Sequence, residues 1–171
     1  MNPEVRDESG IGLDVDANVN QFLTFMLAGE EYGVDILRVQ EIKGWESATE
    51  IPNTPDYIQG VMNLRGTIVP IVDLRSRFEL ERIDYSNTTV VIVLKILKED
   101  SEKTIGFVVD AVSDVYNVTE EQLKPSPDFG GGVSTEFVKG LATVDEKMLI
   151  LLDIDHLIDA DIDINQSAMT H

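Results

Sequence analysis

The chain has 171 residues, enough for one domain or for two small barrels that share a core. With 32 acidic against 13 basic residues it carries a net charge of −19, a field that repels nucleic-acid phosphates and anionic membrane surfaces. It contains no cysteine, which excludes disulfides, thiol catalysis and cysteine-based zinc sites, and two histidines, His156 and His171, are too few for a metal cluster.

Residues 1–20 are polar and acidic and are expected to be a disordered leader, without the apolar core of a signal peptide. Order is expected from Gln21. Phe22-Leu23-Thr24-Phe25-Met26-Leu27 reads as a strand, turned at Gly29-Glu30-Glu31 into a second over Tyr32-Gly33-Val34-Asp35. Ile36, Val39 and Ile42 recur at about one helical turn, which predicts a short helix carrying Arg38 and Glu41 to the surface. Residues 45–55, with Pro52, Asn53 and Pro55, form an irregular connection, and Asp56 then stands where it would cap a brief helix over 57–60.

The polar turn Asn63-Leu64-Arg65-Gly66-Thr67 leads into an apolar, β-branched run at 68–72 closed by Asp73. This is the pattern of a buried strand entered from an exposed turn, with Arg65 at the tip and Gly66 free to take φ > 0. Pro70 has no N–H to give a sheet, so this strand is expected at an edge or beside a bulge. A short helix over 74–78 and a polar connector over 79–87 complete the first half.

The second half opens with a strand at 88–94, a charged hairpin loop at 98–103 and a return strand at 104–110. Thr119 is placed to cap a helix, and residues 124–134, with Gly130-Gly131-Gly132, are expected to form a mobile surface loop. Core segments at 136–141 and 148–152 flank a turn at Asp145-Glu146; a short helix over 153–158 then runs into a flexible tail, 159–171. No apolar run approaches the roughly 20 residues of a membrane helix, and the reading is of a soluble, cytoplasmic protein.

Without a gap, residues 57–78 align onto 137–158: Tyr57 on Phe137, Gly60 on Gly140, Val61 on Leu141, Asp73 on Asp153, Phe78 on Ile158. A weaker match sets Gly33 on Gly106, Val39 on Val112, Glu41 on Asp114 and Ile42 on Val115. Two copies of one β-rich unit are too few for a solenoid and predict two linked barrels. The first is expected mainly over 21–85 and the second mainly over 86–158, with strands open to exchange between them. Paired positions serve the fold. The turn residues differ, since Asp145 stands opposite Arg65 with reversed charge, and this singles out Arg65 for function.

Motifs for catalysis are missing. Asp159-Ala160-Asp161-Ile162-Asp163 begins like a calcium loop but has Ile164 where glycine is needed and Thr170 where glutamate is needed. No phosphate-binding loop, nucleophile elbow or dinucleotide fingerprint occurs. No catalytic residue, cofactor site or metal site is therefore expected. Val39 and Ile42 have two readings, as core or as an apolar contact beside Glu41 and Arg65 rimmed by opposite charges.

Several segments together resemble the CheW family of chemotaxis coupling proteins. They include Glu31-Tyr32-Gly33-Val34-Asp35-Ile36-Leu37-Arg38-Val39-Gln40-Glu41-Ile42, Ile51-Pro52-Asn53-Thr54-Pro55 and Gly60-Val61-Met62-Asn63-Leu64-Arg65-Gly66-Thr67-Ile68-Val69-Pro70. Val90-Val91-Ile92-Val93, Gly106-Phe107-Val108-Val109-Asp110 and Met148-Leu149-Ile150-Leu151 extend the likeness through the second half. The resemblance implies two packed five-stranded SH3-like β-barrels and a non-catalytic adaptor. Such an adaptor binds the cytoplasmic tips of chemoreceptors (methyl-accepting chemotaxis proteins) and the regulatory domain of the histidine kinase CheA. It thereby puts the kinase under receptor control within a membrane-associated array. Carried over position by position, Val39, Glu41, Gly60 and Arg65, then Val90, Gly106, Val112 and Val115, are implied in partner binding, with Ile42, Leu64 and Gly66 beside them. Receptor and kinase contacts are not separated among these residues. Gly60 remains open to a backbone role because Gly140 repeats it. The loop at 98–103 is longer than the family pattern, and a barrel scaffold in another signalling complex, or a small-ligand module, is the alternative reading.

Overall fold

The computed structural model describes residues 19–98, 101–125 and 137–157. The expected leader up to residue 18, the glycine-rich loop from 126, the tail, the calcium-like motif and Ile158 lie outside the described residues. Among the described residues, three two-residue turns with positive φ frame the fold. Ala28-Gly29, Arg65-Gly66 and Asp145-Glu146 all have positive φ (53° and 83°, 55° and 89°, 52° and 67°), the twist that lets paired strands continue without splaying. They join β1 (Val19–Leu27) to β2 (Glu30–Asp35), β4 (Ile58–Leu64) to β5 (Thr67–Asp73), and β10 (Val138–Val144) to β11 (Lys147–Leu152). The turn after β1 thus falls at Ala28-Gly29, one step earlier than the sequence suggests.

Four expectations are corrected. The helix over Ile36, Val39 and Ile42 is a single 3-10 turn, Ile36–Arg38, capped by Asp35, followed by β3 (Val39–Gly44). The helix expected over 57–60 is the start of β4. The charged loop at 98–103 is mostly ladder, because β6 (Val90–Lys98) pairs with β7 (Ser101–Val109) out to Lys98–Ser101. Pro70 lies on an interior strand, with β4 on one side and β7 on the other. Its missing N–H is tolerated because pairing to β7 runs only from Ile71 to Asp73, while its partner Val61 turns its own N–H and C=O away to Thr49. The expected bulge is present, but in β4, between Ile58 and Gly60.

The strands form two sheets of matching order, β3-β6-β7-β5-β4 and β8-β1-β2-β11-β10-β9, where β8 is Ala111–Thr119 and β9 is Leu123–Lys124. Applying the repeat turns one order into the other. Each sheet combines a hairpin from one half with strands from the other half: β6–β7 beside β3, β4 and β5, and β1–β2 beside β8, β10 and β11. Among the described residues the parallel pairings, β5 with β7 and β11 with β2, are equivalent: Ile71 lies opposite Gly106 as Leu151 lies opposite Gly33. A bridge from Thr49 to Val61 curls one sheet into a barrel, and Lys124 pairing with Leu141 does the same for the other. Thr119 caps the 3-10 turn Glu120–Gln122 that leads into this second closure, its N–H donating to Gln122 Oε1 at 2.8 Å.

Each barrel has a small interior, Met62, Val69, Ile71, Val91, Val93 and Val108 in one, Phe22, Val118, Ala142, Val144, Leu149 and Leu151 in the other. The largest cluster lies between them and includes Phe25, Tyr32, Leu74, Phe78, Ile92, Leu94, Phe107 and Phe137. Every aliphatic side chain buried there contributes roughly 1.5–3 kcal/mol, so the shared core makes the two barrels one unit. At its edge α1 (Leu74–Arg77) places the Arg77 guanidinium over the equivalent rings of Tyr57 (4.8 Å) and Phe137 (4.5 Å).

Two ion-pair clasps cross the same boundary with reversed polarity. Arg75, on α1, holds Asp110 through Nε (2.9 Å) and Nη2 (2.7 Å), and Asp110 also accepts from the Ala28 N–H at 2.9 Å. Asp155 stands at the repeat position of Arg75. It accepts from Arg38 (2.8 and 2.9 Å) and from the Leu97 N–H (2.8 Å), and Arg38 lies next to the repeat position of Asp110. Burial works to raise the Asp110 carboxyl, but the Arg75 guanidinium and the Ala28 N–H hold it below its ordinary value. Arg38 does the same for Asp155 against a smaller effect of burial. Because the signs are exchanged, two copies of either half placed face to face would set like charges together; only the unlike halves fit.

Candidate functional site

The hairpin turn between β4 and β5 rises beside β3, and between them a groove of about 210 Å³ opens at the mouth of the first barrel. Its floor is apolar, Val69 and Val93, both buried. Gln40, Glu41, Leu64, Arg65, Thr67 and Thr104 form the walls.

A bulge in β3 decides which side chains reach it. Val39 pairs with Leu94, which faces the shared core, whereas Glu41 pairs with Val93, which faces the barrel interior. The extra residue at the bulge therefore turns Glu41 into the groove and leaves Val39 packed against the shared core. Val39 lies against that core but is only half-buried. Ile42, opposite Ile92, is 41 % exposed.

Arg65 has φ +55°, a region that disfavours residues other than glycine, asparagine and aspartate. Its counterpart Asp145 takes the same conformation, so the turn backbone is repeated and only the side chain differs. The Arg65 side chain is 82 % exposed and meets Glu41 at 3.8 Å. A pair with one exposed end at that distance adds about 0–1 kcal/mol, too little to explain an arginine in a costly conformation by stability. Asn63 Oδ1 accepts from the Gly66 N–H at 2.8 Å and ties the turn.

The remaining expected residues do not join this groove. Val90 and Val112 border the shared core with Val39, and Val115, the repeat partner of Ile42, is 44 % exposed on β8. Gly106 lies inside its sheet, where a Cβ would meet Ile71 and Val91 side chains at 2.8 Å. Gly60, at φ +140°, would put a Cβ 2.2 Å from the Thr49 carbonyl oxygen, and Gly140 would put one 2.9 Å from the Lys124 oxygen. Both glycines sit at equivalent bulges where the closing strand passes over the hairpin. Sequence reasoning missed Gln40, Thr67 and Thr104. These small polar residues carry no pattern of their own and are brought together only by the barrel.

A groove with an apolar floor, polar walls and one charged pair suits an inserted apolar side chain with a charged neighbour. Among the described residues no group of three or more His, Asp or Glu is placed to hold a metal ion. No helix among them is long and apolar enough to cross a membrane.

The model of the CheW-like domain family matches residues 21–161. The chain is 50% identical over 141 residues to a chemotaxis protein CheW of Klebsiella aerogenes, covering 82% of each chain. It is 35% identical over 137 residues to a probable chemotaxis protein CheW of Rhizobium etli, covering 80% of this chain and 86% of that one. Among solved structures, the scaffolding protein TtCheW from Thermoanaerobacter tengcongensis superposes with a TM-score of 0.75 at 36% identity, covering 83% of this chain and 94% of that one.

Proposed function

The chain belongs to the CheW-like family, an adaptor of chemotaxis by its likeness to CheW proteins of several species, and we propose that it couples two partners directly. These are the cytoplasmic tips of chemoreceptors and the regulatory domain of the histidine kinase CheA. In this reading it works without catalysis, in the cytoplasm, and is recruited to membrane-associated receptor arrays. Kinase activity comes under receptor control because one rigid body touches both partners, and the shared core with its two clasps keeps the two barrels from moving independently.

Partner contact is assigned first to the groove mouth, with Glu41, Leu64, Arg65 and Gly66, and then to the apolar positions Val39, Ile42, Val90, Val112 and Val115. Gly60 and Gly106 support the surface through the backbone. The observation that carries the reading is Arg65, an exposed arginine in an unfavourable conformation, with one weak pairing and an aspartate at its repeat position. Co-sedimentation with receptor-containing membranes, with and without the kinase, tests it. The chain is expected to sediment with receptor alone and to carry the kinase down with it. A chain that stays in the supernatant in both cases removes the proposal.

A further inference from the structure

We infer that Asn63 is a positioning residue for the groove, acting through the turn and not by touching a partner. The inference rests on the reading of Arg65 as a contact. In a two-residue hairpin turn the first position must take positive φ, and Arg65 does so at +55°. Asparagine, aspartate and glycine tolerate that region; arginine lacks the short polar side chain that eases it. In the second barrel Asp145 meets the requirement itself at φ 52°. The Arg65-Gly66 turn has no such side chain at its tip; nor has Ala28-Gly29, where Asp110 holds the Ala28 N–H at 2.9 Å, and at Arg65 the tie comes from two residues earlier. Asn63 Oδ1 accepts from the Gly66 N–H at 2.8 Å, closing a ring around Leu64 and Arg65.

That hydrogen bond decides where the guanidinium points. Asn63 is exposed and lies opposite Ile68 at the last steps of the ladder, with Leu64 paired to Thr67 just beyond it. Arg65 contacts Glu41 only at 3.8 Å, too weakly to orient the turn by itself. When the Asn63 side chain is lost, the turn gains alternatives to its positive-φ conformation, and Arg65 leaves the groove for part of the time. Only the fraction in the competent conformation binds, so affinity falls by that fraction.

The test is a double-mutant cycle on the full chain, binding a receptor cytoplasmic fragment in the presence of the kinase. Asn63→Ala is expected to weaken binding roughly two- to tenfold, the range of one hydrogen bond. Asn63→Asp is expected to restore it, since a carboxylate accepts the same N–H. Asn63→Ala combined with Arg65→Ala is expected to bind no worse than Arg65→Ala alone. Hydrogen exchange at the Gly66 amide gives a readout independent of partners, slow in the wild type and in Asn63→Asp, fast in Asn63→Ala. Fast exchange with unchanged binding overturns the positioning role and leaves the Arg65 reading standing. Additive losses overturn it by making Asn63 a contact, and wild-type binding by Arg65→Ala removes the Arg65 reading and this inference together.

Discussion

Replacing Gly60 by alanine separates what the fold needs from what a partner needs. The added Cβ would lie 2.2 Å from the Thr49 carbonyl oxygen and 2.7 Å from its carbon, both backbone atoms. The same segment is fixed to Val61 by two 2.8 Å hydrogen bonds, so relief means breaking the bridge that closes the barrel. Backbone strain at φ +140° contributes about 1–3 kcal/mol, and the two lost hydrogen bonds about 1 kcal/mol each. The expected cost is therefore about 3–5 kcal/mol, a large part of the roughly 5–15 kcal/mol that holds a domain together. At Gly140 the clash is milder, 2.9 Å from the Lys124 oxygen, and alanine there is expected to cost about 1–2 kcal/mol. Urea unfolding of the two variants beside the wild type measures both. The reasoning is refuted if Gly60→Ala is as stable as the wild type, or if Gly140→Ala is the more damaging. A stable Gly60→Ala that no longer binds partners would move Gly60 into the contact surface.

The two clasps predict an acid limb of stability. Asp110 and Asp155 both have folded values below their unfolded ones, so their contribution is full above about pH 4 and fades as pH falls through the folded values. Urea melts from pH 6 to pH 2.5 should show this loss, and Asp110→Asn with Asp155→Asn should flatten it; an unchanged slope rejects the assignment. At Asp73, buried at 2 %, the Tyr85 hydroxyl and the Ser76 N–H donate to the carboxylate, and the Arg82 guanidinium lies 3.8 Å from it. Tyr85→Phe removes the first of them and is expected to cost about 1–3 kcal/mol in a thermal melt, whereas a change below about 0.5 kcal/mol would mean that water or the Arg82 guanidinium replaces it.

The parts of this molecule that were legible in the sequence are those fixed by neighbouring residues. The run at 68–72 and its copy at 148–152 are unbroken apolar stretches, each closed by an aspartate and entered from a polar turn, and both are strands. The helix expected through Ile36, Val39 and Ile42 shows how a local pattern misleads. A 3-10 turn followed by a bulge between Val39 and Glu41 reproduces the spacing of about three residues that marks a helix. The Gly60 bulge likewise broke the alternation of β4, and a strand read as a capped helix. The exchange of hairpins between halves has no local signal, because β2 meets β11, and β7 meets β5, through parallel backbone pairing of residues distant in sequence. Arg65 was legible because the repeat offered a comparison. Its groove was not, since Val93 and Thr104 reach it only after β6 and β7 cross into the first-half sheet.

The central claim is that the Arg65 turn serves coupling and not folding, and Arg65→Glu in a reconstituted receptor–kinase assay tests it most directly. Because Arg65 is 82 % exposed and meets the half-buried Glu41 only at 3.8 Å, the substitution is expected to change stability by about 1 kcal/mol or less. The account predicts a folded variant with a thermal midpoint close to that of the wild type, which no longer supports receptor-dependent kinase phosphorylation. Full kinase activation by a folded Arg65→Glu, or a variant that does not fold, would contradict it.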